Sequence, residues 1–147
     1  MKLLSPQFQD NENIPVIYTC DGEGINPPLV ISDVPEQAKS LILICTDPDS
    51  PSGDFIHWIL WNIDPNISEI KENSIPYNVV EGLTSISKPG FVGPCPNSGK
   101  HHYIFTIFAL DLKLNLNSTS DISMLKNTIQ NHILEQTELI GLYQRNK

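Results

Sequence analysis

Leu41-Ile42-Leu43-Ile44-Cys45-Thr46 runs directly into Asp47-Pro48-Asp49-Ser50-Pro51. The first half is continuously apolar and rich in branched side chains, the pattern of a central strand covered on both faces. The second half places two carboxylates at i and i+2, with Pro48 between them and Pro51 after. Proline fixes φ and donates no backbone hydrogen bond, so this is a stiff loop at a strand end, suited to holding side chains in place. Outward from this pair, Ile14 to Thr19, Leu29 to Ile31, Phe55 to Ile63 and Tyr103 to Leu110 read as further short strands. Turn chemistry lies at Asn11 to Asn13 and at Asp33 to Gln37. After Asp111 the period changes. Leu125, Ile129, Ile133, Gln136 and Ile140 fall near the i, i+4 spacing of a helix face, with Ser120 or Asp121 available as the cap. The spacing predicts one C-terminal helix of about five turns. Strands first and a helix last predict a mainly β fold, an antiparallel β-sandwich-like arrangement with that helix packed at one end.

The 12 prolines and 8 glycines are spread along the chain and punctuate strands, without gathering into a linker. One domain spanning residues 1–147 is expected, long enough to bury roughly 68–70% of its unfolded surface. At 39% hydrophobic and 18% charged residues, the composition is that of a globular protein. The net charge of -8 repels nucleic-acid phosphates and anionic bilayers, so no nucleic-acid partner is expected. A pocket sets its own local potential, so one small anion remains admissible. The start of the chain turns polar before any apolar run long enough for a signal peptide, and no stretch approaches a transmembrane segment. A cytoplasmic location is the expectation. Cys20, Cys45 and Cys95 are an odd count without C-x-x-C spacing and read as free thiols.

Three constellations carry chemistry. Asp47 and Asp49 stand in the Pro loop; taken alone they read more readily as Asx-turn formers than as site residues. His57 lies in the strand Phe55 to Ile63, where strict alternation would put it with Ile59 and Trp61, opposite Trp58, Leu60 and Asn62. Gly93-Pro94-Cys95-Pro96-Asn97-Ser98-Gly99 leads into His101-His102-Tyr103. Such a loop frees backbone N–H groups that favour anions, and alternation sends His101 and Tyr103 to one side with His102 to the other. Carboxylates beside imidazoles favour imidazolium, so the set is expected to present cationic N–H donors to an anion.

In their order, Tyr18-Thr19-Cys20-Asp21-Gly22, Asn26-Pro27-Pro28-Leu29, Asp47-Pro48-Asp49-Ser50-Pro51, His57-Trp58, Gly93-Pro94-Cys95-Pro96 and His101-His102-Tyr103 resemble the phosphatidylethanolamine-binding family. The resemblance is to its compact bacterial and archaeal Raf-kinase-inhibitor-like branch and covers nearly the whole chain. It implies a β-sandwich-like fold and a ligand pocket at Asp47, Asp49, His57, Gly93, Pro94, His101 and Tyr103. The guest would be a phosphate-like or carboxylate group, such as a phospholipid head group. It also implies a cis peptide before Pro51. Asn97 departs from the family pattern, as do Thr84 and Ser87, which stand where an asparagine and a glycine are usual.

No H-x-x-x-H, H-E-x-x-H or G-x-S-x-G spacing is present, so catalysis is not expected, nor any cofactor or metal. The alternatives are regulation of a kinase or protease through protein contact and, less well supported, a metal-dependent hydrolase or a His57 base serving Ser50 or Cys95. Oligomeric state, monomer or homodimer, is left open by the sequence.

Overall fold

Every residue from Ser40 to Cys45 is buried, because the strand they form has a partner on each edge and a core on each face. The computed structural model describes residues 1–146, so the last residue of the expected domain lies outside the described residues. In chain order the strands are β1 (Lys2–Leu4), β2 (Glu12–Asn13), β3 (Leu29–Ser32), β4 (Ser40–Asp47), β5 (Phe55–Ile63), β6 (Glu69–Ile70), β7 (Val80–Glu81), β8 (His101–Leu110) and β9 (Ile133–Tyr143). The α-helix, α1, spans Ile122–Ile129. Six strands form one sheet in the order β2-β9-β8-β4-β5-β7, and β1-β3-β6 form a smaller one. Among the described residues only the short β2–β9 pairing is parallel.

Along β4 the side chains alternate between two cores. Leu41, Leu43 and Cys45 join Trp58, Leu60, Phe105 and Ile107, packed against Leu29, Ile31 and Ile70 of the small sheet. Ile42 and Ile44 join Ile59, Trp61, Leu114, Leu125 and Ile129. Full burial of each such side chain contributes about 1.5–3 kcal/mol. The helix thus covers a face of the large sheet, and the fold is the mainly β arrangement the pattern predicts.

The last third differs from expectation. Asp121 caps α1, accepting from the Met124 amide at 3.0 Å, but the helix stops after two turns. Asn131 takes φ +70 and the chain turns back as β9, paired with β8 along its whole length. The i, i+4 recurrence of Ile133, Gln136 and Ile140 coincided with a period of two, which buries Leu139, Gly141 and Tyr143. Pairing decides between them, since β8 without β9 would leave a row of unbonded backbone groups. Gly141 is required there, because a Cβ would stand 2.4 Å from Ile14.

Other expectations change locally. Ile14 to Thr19 is a 3-10 turn over Val16–Tyr18, not a strand: Pro15 has no N–H to give a ladder, and Thr19 Oγ1 donates to the Val16 carbonyl at 2.8 Å. The peptide before Pro51 is trans. Cys20 and Cys95 form a disulfide across 75 residues, with Cα atoms 5.4 Å apart, and Cys45 remains a buried free thiol. The expectation of three free thiols fails because spacing in sequence says nothing of two loops that meet in space. Ser87 occupies φ +61, a left-handed conformation that glycine adopts more easily. Ser87→Gly is expected to raise stability by about 0.5 kcal/mol, the relief of strain less the added unfolded-state entropy, read from urea midpoints.

Candidate functional site

The loop after β4, the start of β5, the segment 91–97 and the start of β8 surround a cavity of about 220 Å³. Of the residues expected to line it, Asp47, His57, Gly93, His101 and Tyr103 do. Asp49 and Pro94 do not. Ser50, Pro51, Phe55, Val92, Cys95, Pro96 and Asn97 complete the lining; Thr84 and Ser87 lie elsewhere. Phe55 could have been found from sequence, since it precedes His57 by two residues and shares its face, with ring centroids 4.7 Å apart.

His57 reaches the cavity through a β-bulge. β4 and β5 pair Ile44 with Ile59 and Cys45 with Trp58, then slip so that Thr46 faces Ile56. His57 is the extra residue. The bulge breaks the expected alternation: Ile59 and Trp61 enter the core beneath α1, whereas His57 turns to the side of Trp58 and Tyr103. Its ring stands edge-on to Tyr103, with centroids 5.2 Å apart. Bulges re-aim side chains in this way. A second slip in β5, between Leu60 and Ile63, accommodates Asn62 at φ +57, whose side-chain amide bonds both backbone groups of Leu114. Asn62 is therefore structural.

His57 grips the loop that roofs the cavity. Its Nδ1–H donates to the Val92 carbonyl at 2.6 Å, and the Val92 amide donates to the His57 carbonyl at 2.9 Å. A carbonyl only accepts, so the proton is on Nδ1 and Nε2 is left outward. Burial pushes the His57 pKa below its ordinary value, outweighing the Val92 carbonyl and the Asp47 charge, both of which act upward. His57 is thus neutral at pH 7, contrary to the expectation that neighbouring acids would charge it.

Asp47 is the anchor of the other histidine. Only 4% exposed, it accepts the Asp49 amide on Oδ1 at 2.8 Å and His101 Nδ1–H on Oδ2 at 2.7 Å. This bond orients His101 and leaves its Nε2 outward. Asp49 turns away from the cavity and takes both the backbone N–H and Nδ1 of exposed His102 on one oxygen, each at 2.7 Å. Those bonds hold the Asp49 carboxyl below the usual carboxylate range. The alternation of His101 and Tyr103 against His102 holds as expected.

Tyr103 is fully buried, and its hydroxyl has no hydrogen-bond partner. An orphaned buried hydroxyl costs about 1–3 kcal/mol. Burial, then the charge of Asp47, push its pKa up, which keeps it a neutral donor. Gly93 lets the roof lie against the turn at residues 18–20, where a Cβ would be 3.1 Å from the Tyr18 oxygen. The adjacent Pro94 carbonyl accepts the Cys20 amide at 3.1 Å. The Cys20–Cys95 disulfide fastens the same contact covalently. Cys95 is accordingly no nucleophile in this state.

The family model for phosphatidylethanolamine-binding protein matches residues 4–144. The chain belongs to the phosphatidylethanolamine-binding protein family. Among curated members, a UPF0098 protein of Methanothermobacter thermautotrophicus is 42% identical over 99% of both chains. Another from Pyrococcus horikoshii is 41% identical over 97% of this chain and 76% of its own. A solved phosphatidylethanolamine-binding protein homologue from Chlamydia trachomatis superposes with TM-score 0.95 at 39% identity, covering 98% of this chain and 97% of its own. Escherichia coli YbcL, described as a new member of the mammalian phosphatidylethanolamine-binding protein family, gives 0.91 at 25% identity, over 99% and 98%. No helix among the described residues of this phosphatidylethanolamine-binding family member is long and apolar enough to cross a membrane.

Proposed function

We propose that the protein binds a small anionic group, phosphate-like or carboxylate, in this cavity and does so without catalysis. The observation that carries the reading is the unpartnered Tyr103 hydroxyl, buried between two histidines whose Nε2 atoms make no hydrogen bond among the described residues. The cavity, about 220 Å³, has room for a small head group. The site residues of this reading are Asp47, His57, Gly93, His101 and Tyr103, with Asp49 and Pro94 in supporting positions.

Tyr103→Phe is the cleanest variant, since the hydroxyl it deletes bonds nothing in the protein. The fold is expected to be as stable or slightly more so. Affinity for phosphate and phosphoethanolamine, followed by NMR, is expected to drop about tenfold, the equivalent of one hydrogen bond to a charged group. His57→Ala should weaken binding further by freeing the roof. Isotherms identical to wild type for both variants would remove the cavity as the binding site.

Regulation of a kinase or protease, by a surface that the filled cavity reshapes, is the alternative, and capture of such an enzyme only by ligand-loaded protein would favour it. A cytoplasmic location remains part of the proposal, and the disulfide gives it a measurable consequence. In a reducing compartment Cys20 and Cys95 persist as a pair only if their potential lies below that of the glutathione pool, which thiol trapping on acid-quenched cells reports.

A further inference from the structure

Among the described residues, the cavity lining contains one carboxylate, Asp47, and neither lysine nor arginine. Among these residues an entering anion meets no permanent positive charge and one buried negative one. In surroundings of low dielectric, like charges a few ångströms apart repel strongly unless something between them becomes positive. The groups able to do so are the two imidazoles.

Each imidazole has a single site left for a proton. His57 Nδ1 is committed to the Val92 carbonyl and His101 Nδ1 to Asp47, so only the Nε2 atoms can gain one. The groups facing His57 are Phe55 on its own strand, Asp47 from β4, His101 and Tyr103 from β8, and the Val92 carbonyl from the roof. Cys45, Asp49 and Tyr143 act on Tyr103 more weakly than Asp47 does, and Cys95 is held in the disulfide. Asp47 is thus the one anion acting directly on His57, and it already serves His101. Burial keeps His57 neutral in the unfilled cavity. An anion at Nε2 reverses that balance, because an adjacent opposite charge favours the protonated ring.

We propose that the cavity takes up its anion together with a proton, which passes from solvent to His57 Nε2, so that affinity rises as pH falls. The inference rests on the binding reading above. One N–H bond forms at Nε2 as one bond to hydrogen breaks in the hydronium or buffer acid that supplies the proton, and linkage sets the slope at about tenfold in affinity per pH unit while His57 is neutral in the free protein and protonated in the complex. The same linkage fixes the sign for the unliganded fold. A depressed histidine contributes its stability fully above the ordinary imidazole pKa, and the contribution is lost as pH falls through the folded value. Bound anion restores it.

Acetate and sulfate are suitable probes, since both stay fully ionised from pH 6 to 9. Calorimetric titrations are expected to show affinity falling about tenfold per unit toward alkaline pH. The apparent heat should vary with the ionisation enthalpy of the buffer as uptake of about one proton requires. His57→Gln, checked for folding by its thermal transition, is expected to bind weakly and with little pH dependence. Affinity independent of pH, with heats insensitive to buffer, overturns the inference and leaves the binding reading standing. An undiminished slope in His57→Gln also overturns it, by placing the proton elsewhere. Absence of acetate or sulfate binding at every pH overturns both.

Discussion

Asp47→Ala is expected to lower folding stability by about 3 kcal/mol. The carboxylate is buried and uses both oxygens, one for the Asp49 amide and one for His101 Nδ1–H. Truncation leaves two donors without partners, one in the loop and one on a ring only 8% exposed. The loss is set by these orphaned hydrogen bonds, which places it at the low end for broken buried pairs. Urea unfolding gives the magnitude, and a double-mutant cycle with His101→Ala isolates the share of the pair. Asp47→Asn, which keeps one acceptor oxygen, should fall between. A loss under about 1 kcal/mol for Asp47→Ala would mean that the Asp47–His101 bond does not hold in solution.

Reducing the Cys20–Cys95 bridge, or replacing both residues by serine, is expected to destabilise the protein by about 2–4 kcal/mol. A bond across 75 residues removes much of the freedom of the unfolded chain, for which the chain-entropy estimate is about 4.5 kcal/mol. Measured values generally fall below that figure, because the reduced chain retains structure. Cys95 also lines the cavity, so reduction loosens the roof as well as the fold. Denaturation midpoints with and without dithiothreitol test the energy. Thiol titration tests the pairing: the native oxidised protein should show no fast-reacting thiol, Cys45 being fully buried with its pKa pushed up by burial and by Asp47. Equal midpoints, or two reactive thiols before reduction, would defeat the assignment.

What could be read from the residues alone was whatever depends on neighbours in the chain. The unbroken apolar run of β4 follows from a core on each face, and His101 and Tyr103 share a side because strand side chains alternate. The stiff Asp47 to Pro51 loop at the end of that strand is local chemistry too, although its peptides are all trans. The rest was settled by partners distant in sequence. Residues 133–143 satisfy a helical spacing and a strand spacing at once, and only the open edge of β8 selects the strand. His57 enters the cavity because β5 carries one residue more than β4 at that point, a fact of pairing that no single strand contains. Asp49 is drawn off by His102, Cys20 finds Cys95, and His57 loses its charge to burial. Local sequence sets periodicity and turn preference; hydrogen-bond satisfaction and desolvation are properties of the assembled chain, and they determine which candidate side chains reach the cavity and in what state of charge.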